Sequence, residues 1–370
     1  MINNYAFWNS YLKKIEDKIK ELCNKKDELL IDFHIHSTYS ADGKQSIKQI
    51  IESTNSKKFD IIAITDHDSL LAYNELYDIV KNETTVPLII PGVEFTIDNK
   101  EYGNQCHMLQ LFVNPKDDVI IKNVDNNYKA SFNRSKIQFK RIEENEALQE
   151  IFKESNILVS YDEYVDFLNN NNMFPEYDTL CTYLMQKLLE KGVTTFDVFE
   201  KLQIYNELDK FEDRKTFKQK RFEKLKQKYE RNELNEKNTR FLLSMLAVRE
   251  VDDDWWDNPS SGSLSVNSYG QLKIEELNKK YYTFFAHPTE SSLEVVDRII
   301  KENKNIIGME LNRRCEYNQI NKFDEILAKN GMLKIIGSDS HDNSLQFYDD
   351  MNFYRIKSNE ILKILNKIGG

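Results

Sequence analysis

Along residues 5–22 the apolar side chains Phe7, Trp8, Tyr11, Leu12, Ile15, Ile19 and Leu22 recur every three or four positions, with lysines and acids between them. That is the period of an amphipathic helix, and its polar face of mixed charge predicts packing on the body of the protein rather than on a membrane. The pattern then alternates. Leu29-Leu30-Ile31 reads as a strand, 46–54 as a helix, 60–65 as a strand, 69–81 as a helix and 88–95 as a strand ending in Gly92-Val93-Glu94; after a turn at 99–103 another strand runs on from His107. The alternation returns with strands at 282–286, 306–311 and 333–338 and helices at 293–301, 322–330 and 358–367. Such a rhythm predicts an α/β fold of parallel β/α units, and catalytic groups in β/α barrels gather at the C-terminal ends of the strands. His107 starts its run and so does not obey that rule.

Between about residues 115 and 280 the rhythm breaks into a mostly helical stretch without histidine, with helices expected at 132–150, 161–169, 179–190, 195–208, 211–230 and 238–249 and a loop at 252–263. The expected organisation is a helix over 1–28 packed on a barrel formed by 29–115 and 280–370, and an inserted helical subdomain, 116–279, serving as a lid or substrate-binding element. No internal repeat is present.

Composition changes the picture at three points. The net charge of −10 argues against a surface made for passive nucleic-acid binding. Residues 214–231, however, carry nine lysines and arginines against Glu223 and Glu230, a local charge of +7, which suits a phosphate backbone or is a solvated helix face. Trp255 and Trp256 on the following loop suit stacking on a base, covering a site, or packing of the insertion. Cys23, Cys106, Cys181 and Cys315 form no C-x-x-C pair and read as free thiols. No apolar run is long enough to span a bilayer and no leader pattern opens the chain, so a cytoplasmic protein without a membrane partner is expected.

The chemistry lies in the histidines. In Asp32-Phe33-His34-Ile35-His36-Ser37-Thr38-Tyr39-Ser40-Ala41-Asp42-Gly43, strand alternation points His34 and His36 to one side, and a turn at Gly43 brings Asp42 back. Each of the other four of the six histidines stands beside a carboxylate, a strand-like run or both: His67 in Thr65-Asp66-His67-Asp68, His107, His287 after Phe284-Phe285-Ala286, and His341 after Asp339-Ser340. The predicted metal ligands are His34, His36, Asp42, His67, Glu94, His107, His287, Asp339 and His341. Nitrogen and carboxylate donors without thiolates suit zinc, manganese or iron, and nine of them imply two or three divalent ions. Such a cluster serves in-line displacement at phosphorus, with Glu94 able to bridge two ions. Arg134, Arg141, Arg313 and Arg314 are candidate phosphate clamps or ordinary surface salt bridges, and His341 and Asp68 are candidates to protonate the leaving group.

In these residues, DFHIHSTYSADG, ITDHD, GVEFT, CHMLQLF, FFAHP and GSDSHD in this order, the chain resembles the PHP (polymerase and histidinol phosphatase) family. The resemblance covers about 29–115 and 280–369 and implies a distorted (β/α)7 barrel with a trinuclear metal site. It implies that His34, His36, Glu94 and Asp339 hold one ion, that Glu94 bridges to a second held by His107 and His287, and that Asp42, His67 and His341 hold a third. Asp42 stands where the family often has His, which implies an altered affinity there. Asp32, Asp66 and Asp68 would orient imidazoles.

Within the family the chain looks most like the branch acting on nucleotides and nucleic-acid 5′ ends, which places arginine-bearing helix residues where Asn133-Arg134 and Arg141 stand. The expected activity is phosphate-ester hydrolysis on nucleic acid or nucleotides. The alternatives are a small-molecule phosphatase of histidinol-phosphate or nucleoside-monophosphate type, and a metal-bound module that docks a partner. A likeness to PHP modules that accompany ATPases in bacterial defence-type proteins implies a separate ATPase subunit as partner, since no G-x-x-x-x-G-K-[ST] loop is present.

Overall fold

A computed structural model describes residues 4–40, 42–81, 87–97, 106–171, 173, 175, 177–205, 217–247, 272–288, 293–312, 317–342 and 350–367. The chain divides into two compact units, Met1–Ala130 with Ser268–Gly370, and Ser131–Asn267.

The first unit is built on eight strands: β1 (Glu28–Ile35), β2 (Ile61–Ile64), β3 (Leu88–Ile97), β4 (Cys106–Leu111), β5 (Tyr282–Phe285), β6 (Ile306–Asn312), β7 (Leu333–Gly337) and β8 (Arg355–Lys357). They form one sheet in the order β7-β6-β5-β4-β3-β2-β1-β8. The sheet curls nearly shut where the ends of β1 and β7 meet: Asp339 N donates to His34 O at 2.9 Å and His36 N to Ser340 O at 3.0 Å. The result is an α/β barrel. Every residue of β2 is buried, as expected of a strand covered on both faces.

Two strands depart from the all-parallel expectation. β4 runs antiparallel to both β3 and β5, with Thr96 opposite His107. Its first residues therefore lie at the same rim as the last residues of its neighbours, which resolves the anomaly of His107. The short β8 pairs antiparallel with the start of β1 and was not expected; only Ile356 of its three residues is buried, too little for a recognisable apolar run.

Helices α1 (Tyr5–Lys25), α2 (Ile47–Ser56), α3 (Ala72–Val80), α11 (Leu293–Glu302), α12 (Tyr317–Asn330) and α13 (Ser358–Asn366) accompany the strands. The helix expected at 5–22 is α1. It buries Trp8, Ile15, Ile19 and Cys23 in the same core as β1 and β2, and Tyr11 Oη donates to Ile89 O at 2.8 Å. α2 opens on a capping box in which Ser46 and Gln49 exchange side-chain and backbone hydrogen bonds.

α4 (Asp118–Glu144) begins well before the helix expected at 132–150, because its inward face carries the buried polar residues Asn123, Asn127 and Ser131 rather than an apolar stripe. It also stops earlier: Asn145 Oδ1 accepts from Leu148 N at 3.0 Å and caps a new helix, α5 (Glu146–Glu154). The second unit continues with α6 (Tyr161–Asn171), α7 (Tyr177–Glu190), α8 (Thr195–Ile204), α9 (Phe217–Glu230) and α10 (Glu236–Ala247) around its own core, which includes Phe139, Leu148, Tyr164, Leu184, Phe199 and Leu242. Cys23, Cys106 and Cys181 are buried and form no disulfide; Cys315 lies outside the described residues. Among the described residues no helix is long and apolar enough to cross a membrane.

Candidate metal centre

All nine predicted ligand positions converge at one rim of the barrel. The end of β1 carries His34 and, just beyond it, His36; β3 carries Glu94, the start of β4 carries His107, and the turns after β2, β5 and β7 carry His67, His287, Asp339 and His341. Asp42 arrives on the loop after β1, where an alanine Cβ at Gly43 would stand 1.9 Å from Ser37 O, so only glycine lets that turn close. Three residues of this rim, Asp68, His287 and Asp339, are held at positive φ (45°, 25° and 52°), which stores backbone strain at the site.

Glu94 is the centre. Its Oε2 lies 2.9 Å from His34 Nε2, 3.2 Å from His36 Nε2 and 3.1 Å from His67 Nε2. Its Oε1 lies 2.9 Å from His287 Nε2 and 3.2 Å from His107 Nδ1, and those two nitrogens are 3.1 Å apart. Asp339 Oδ1 completes the first group at 3.3 Å from His36 Nε2. An outer group forms around Asp42, whose Oδ2 is 2.8 Å from His341 Nε2 and 3.6 Å from His67 Nε2. The donor atoms of His34, His36, Glu94 and Asp339 lie within 4.8 Å of one another, as do those of His36, Asp42, His67 and His341, and those of His67, Glu94 and His107. The grouping thus differs from the expected one in that His36 also joins the outer group and His67 also reaches the Glu94–His107 pair.

Hydrogen bonds on the far side of three rings decide where their lone pairs point. His34 Nδ1 faces Glu310 Oε1 at 3.0 Å, His36 Nδ1 faces Ser40 Oγ at 3.0 Å, and His341 Nδ1 faces Asp339 O at 2.8 Å. A carboxylate and a carbonyl oxygen only accept, and the Ser40 hydroxyl proton is committed to Asp42 Oδ1 at 2.7 Å, so each Nδ1 carries its proton and each Nε2 presents a lone pair to the centre. Lone pairs from three imidazoles and three carboxylates meeting in one place repel unless a positive charge sits among them.

Without an ion, protons on the rings supply that positive charge. Burial opposes charging His36, yet Asp42, Asp339 and Glu94 pull it up to about 10. Burial likewise opposes the charged form of His34, which Glu310, Glu94 and Asp339 nevertheless hold well above its ordinary value. Glu94 and Asp42 stay well below the usual carboxylate range, because the imidazoles around them outweigh their burial. His67 goes the other way: burial dominates and lowers it to about 3, leaving a neutral ring. The cluster has a surplus of negative charge, so its donor set fits divalent cations held by nitrogen and oxygen.

The three neighbouring aspartates are locked in place. Asp32 Oδ1 accepts from His34 N and Ser338 N, Asp66 from Ser37 N and Oγ, and Asp68 Oδ1 from Asn127 Nδ2 and Thr96 N. Burial, partly offset by the bonds from Asn127 and Thr96, pushes the Asp68 carboxyl up to about 6. Glu310 was not foreseen, although one carboxylate in the otherwise apolar run Ile306-Ile307-Gly308-Met309-Glu310-Leu311 is the signal that marks it. The arginines are a separate matter. Arg134 is buried in the second unit and donates Nη2 to Pro175 O at 3.2 Å; Arg141 is half-buried on the same helix. Arg313, Arg314, Trp255 and Trp256 lie outside the described residues.

Against family models, residues 32–208 match the PHP domain. That match ends before His287, Asp339 and His341, which the barrel brings to the same rim. Among solved structures, a proposed metal-dependent phosphoesterase from Bifidobacterium adolescentis is similar at 16% identity and a TM-score of 0.53, covering 92% of this chain and 98% of that one. An amidohydrolase from Chromobacterium violaceum, solved with sulfate and no metal, is similar at 14% identity and a TM-score of 0.53, covering 89% of this chain and 98% of that one. The likenesses establish the fold, and two differently named activities on it leave the chemistry to the site. No curated protein matches the chain.

Proposed function

We propose that the protein is a metal-dependent phosphoesterase that hydrolyses phosphate esters of nucleic acid or nucleotides. The observation that carries the reading is the convergence of six imidazoles on Glu94, Asp42 and Asp339 with the lone pairs of His34, His36 and His341 directed inward. His34, His36, Asp42, His67, Glu94, His107, His287, Asp339 and His341 would hold two or three ions of zinc, manganese or iron, which would supply Lewis acidity toward a phosphoryl oxygen and an attacking water.

The residues divide the remaining work. His34, His36, Glu94 and Asp339 are almost fully buried and hold the inner position rigid, while the side chains of Asp42 (33% exposed), His341 (24%) and His67 (17%) form the open side from which an ester phosphate enters. Of the two candidates to protonate the leaving oxygen, Asp68 is covered by Asn127 and Thr96, and His341, on the open side, keeps its Nδ1 proton on Asp339 O and turns Nε2 to the centre, so in this arrangement neither offers a proton to the leaving oxygen. The preference for nucleic acid or nucleotides rests on the basic run 214–231. Of its described side chains, Lys224 and Arg231 are exposed and Lys226 and Lys228 half-buried, while Leu225 enters the core. The test is hydrolysis of 5′-labelled single-stranded DNA and RNA, a mononucleotide panel and para-nitrophenyl phosphate with added Mn²⁺ or Zn²⁺. Activity confined to small phosphates would replace the nucleic-acid reading with a small-molecule phosphatase, and no activity on any phosphate ester would overturn the proposal.

A further inference from the structure

One buried carboxylate beside the centre is used by nothing in the reaction outlined above. Glu310 of β6 is fully buried, and both its oxygens face His34 Nδ1, at 3.0 and 3.1 Å. Its Oε2 also accepts from the backbone N of His287 at 2.7 Å. Those two contacts reach different halves of the site: the ring of His34 meets Glu94 Oε2, and the ring of His287 meets Glu94 Oε1. His287 sits at φ 25°, a backbone state that needs an outside partner to hold it. β7 is shaped around the same carboxylate, since a Cβ on Gly337 would lie 2.2 Å from Glu310 Oε1 and 2.5 Å from His34 Cβ. The outer group of His36, Asp42, His67 and His341 has no contact with Glu310 in any of these bonds.

We infer that Glu310 is a positioning residue that couples the two cation positions sharing Glu94, by orienting the His34 ring and the His287 backbone together. The inference rests on the metal-centre reading above. Removing a carboxylate that orients a ligating imidazole typically weakens metal binding about 10–100-fold. Here that loss falls on both positions around Glu94 and spares the outer one.

The experiment is chelator-competition titration of the metal-stripped full chain with Zn²⁺ and separately with Mn²⁺, comparing the wild type with Glu310→Gln and Gly337→Ala. Asp42→Asn identifies the binding step that belongs to the outer group, and circular dichroism of the stripped proteins checks folding. Glu310→Gln keeps the volume but offers an amide where one of the two N–H groups needs an oxygen; Gly337→Ala keeps the carboxylate and displaces it. Both are expected to weaken the steps around Glu94 about 10–100-fold with the outer step unchanged. A merely structural role would shift every step equally or none, and either result overturns the inference. Should Glu310→Gln not fold, Glu310→Asp, one methylene shorter, is read in the same way. A wild-type protein that takes up no ion overturns the metal-centre reading itself, whereas wild-type loading with identical loading by the variants overturns only the role of Glu310.

Discussion

Asn127 on α4 donates its amide to Asp68 Oδ1 at 2.6 Å and to Thr96 O at 2.8 Å, fastening a helix to the rim of the barrel beside His67. Both residues are buried. Asn127→Ala removes the bond and leaves polar atoms stranded, so a loss of about 1–3 kcal/mol in unfolding free energy is expected from urea titration. Hydrolysis should fall as well, because Asp68 shares a strained turn with His67. Unchanged stability would show that the amide contributes nothing to holding that turn.

Tyr73 makes a comparable tie. Its hydroxyl lies 2.6 Å from Ile64 O and accepts from Gly92 N at 2.7 Å, joining the end of β2 to β3 two residues before Glu94. Tyr73→Phe keeps the ring and strands those groups, for an expected cost of about 1–3 kcal/mol, read from the shift of the urea midpoint. A midpoint within experimental error of the wild type would contradict it.

These ties were harder to read from the chain than the ligands they support. His34, His36, His67, Glu94, His287, Asp339 and His341 were legible because their residue types are rare and they follow apolar runs that end at one rim. His107 was legible by type but not by position, since nothing in Cys106–Leu111 says that β4 runs antiparallel. Glu310 was hidden for the opposite reason: a lone acid in a strand carries no spacing signal, and its role exists only once β1, β6 and β7 are side by side. The start of α4 escaped because its buried face is made of asparagine and serine, and β8 because three residues have no period.

The pH dependence of stability should reverse with metal. In the stripped protein His36, pulled up to about 10, stabilises the fold fully below its unfolded value of about 6.5, and that contribution is lost as pH rises toward 10. Burial pushes Asp32 up to about 7 against its hydrogen bonds from Ser338 and His34, so its ionisation costs stability as pH rises from about 4 through 7. Both make the stripped fold weaker on going from about pH 5.5 to 8. Metal uptake requires neutral imidazoles and is favoured by rising pH, so with saturating Mn²⁺ or Zn²⁺ the melting temperature should climb over the same range. Parallel slopes with and without metal would contradict the charge balance described for the site.

If the basic run of the second unit meets a phosphate backbone, replacing Lys224, Lys226, Lys228 and Arg231 by serine should lower activity on single-stranded DNA and RNA and flatten its salt dependence, with para-nitrophenyl phosphate hydrolysis retained. Equal loss on both substrates would mean that these residues serve folding instead.

The most direct test of the central claim is metal content by mass spectrometry of the purified protein, paired with phosphate-ester hydrolysis before and after stripping and with His34→Ala as control. Two or three ions per chain are expected, with activity lost on stripping, restored by Mn²⁺ or Zn²⁺, and absent in His34→Ala. A protein that holds no ion after reconstitution, or that hydrolyses phosphate esters equally well without one, would contradict the account.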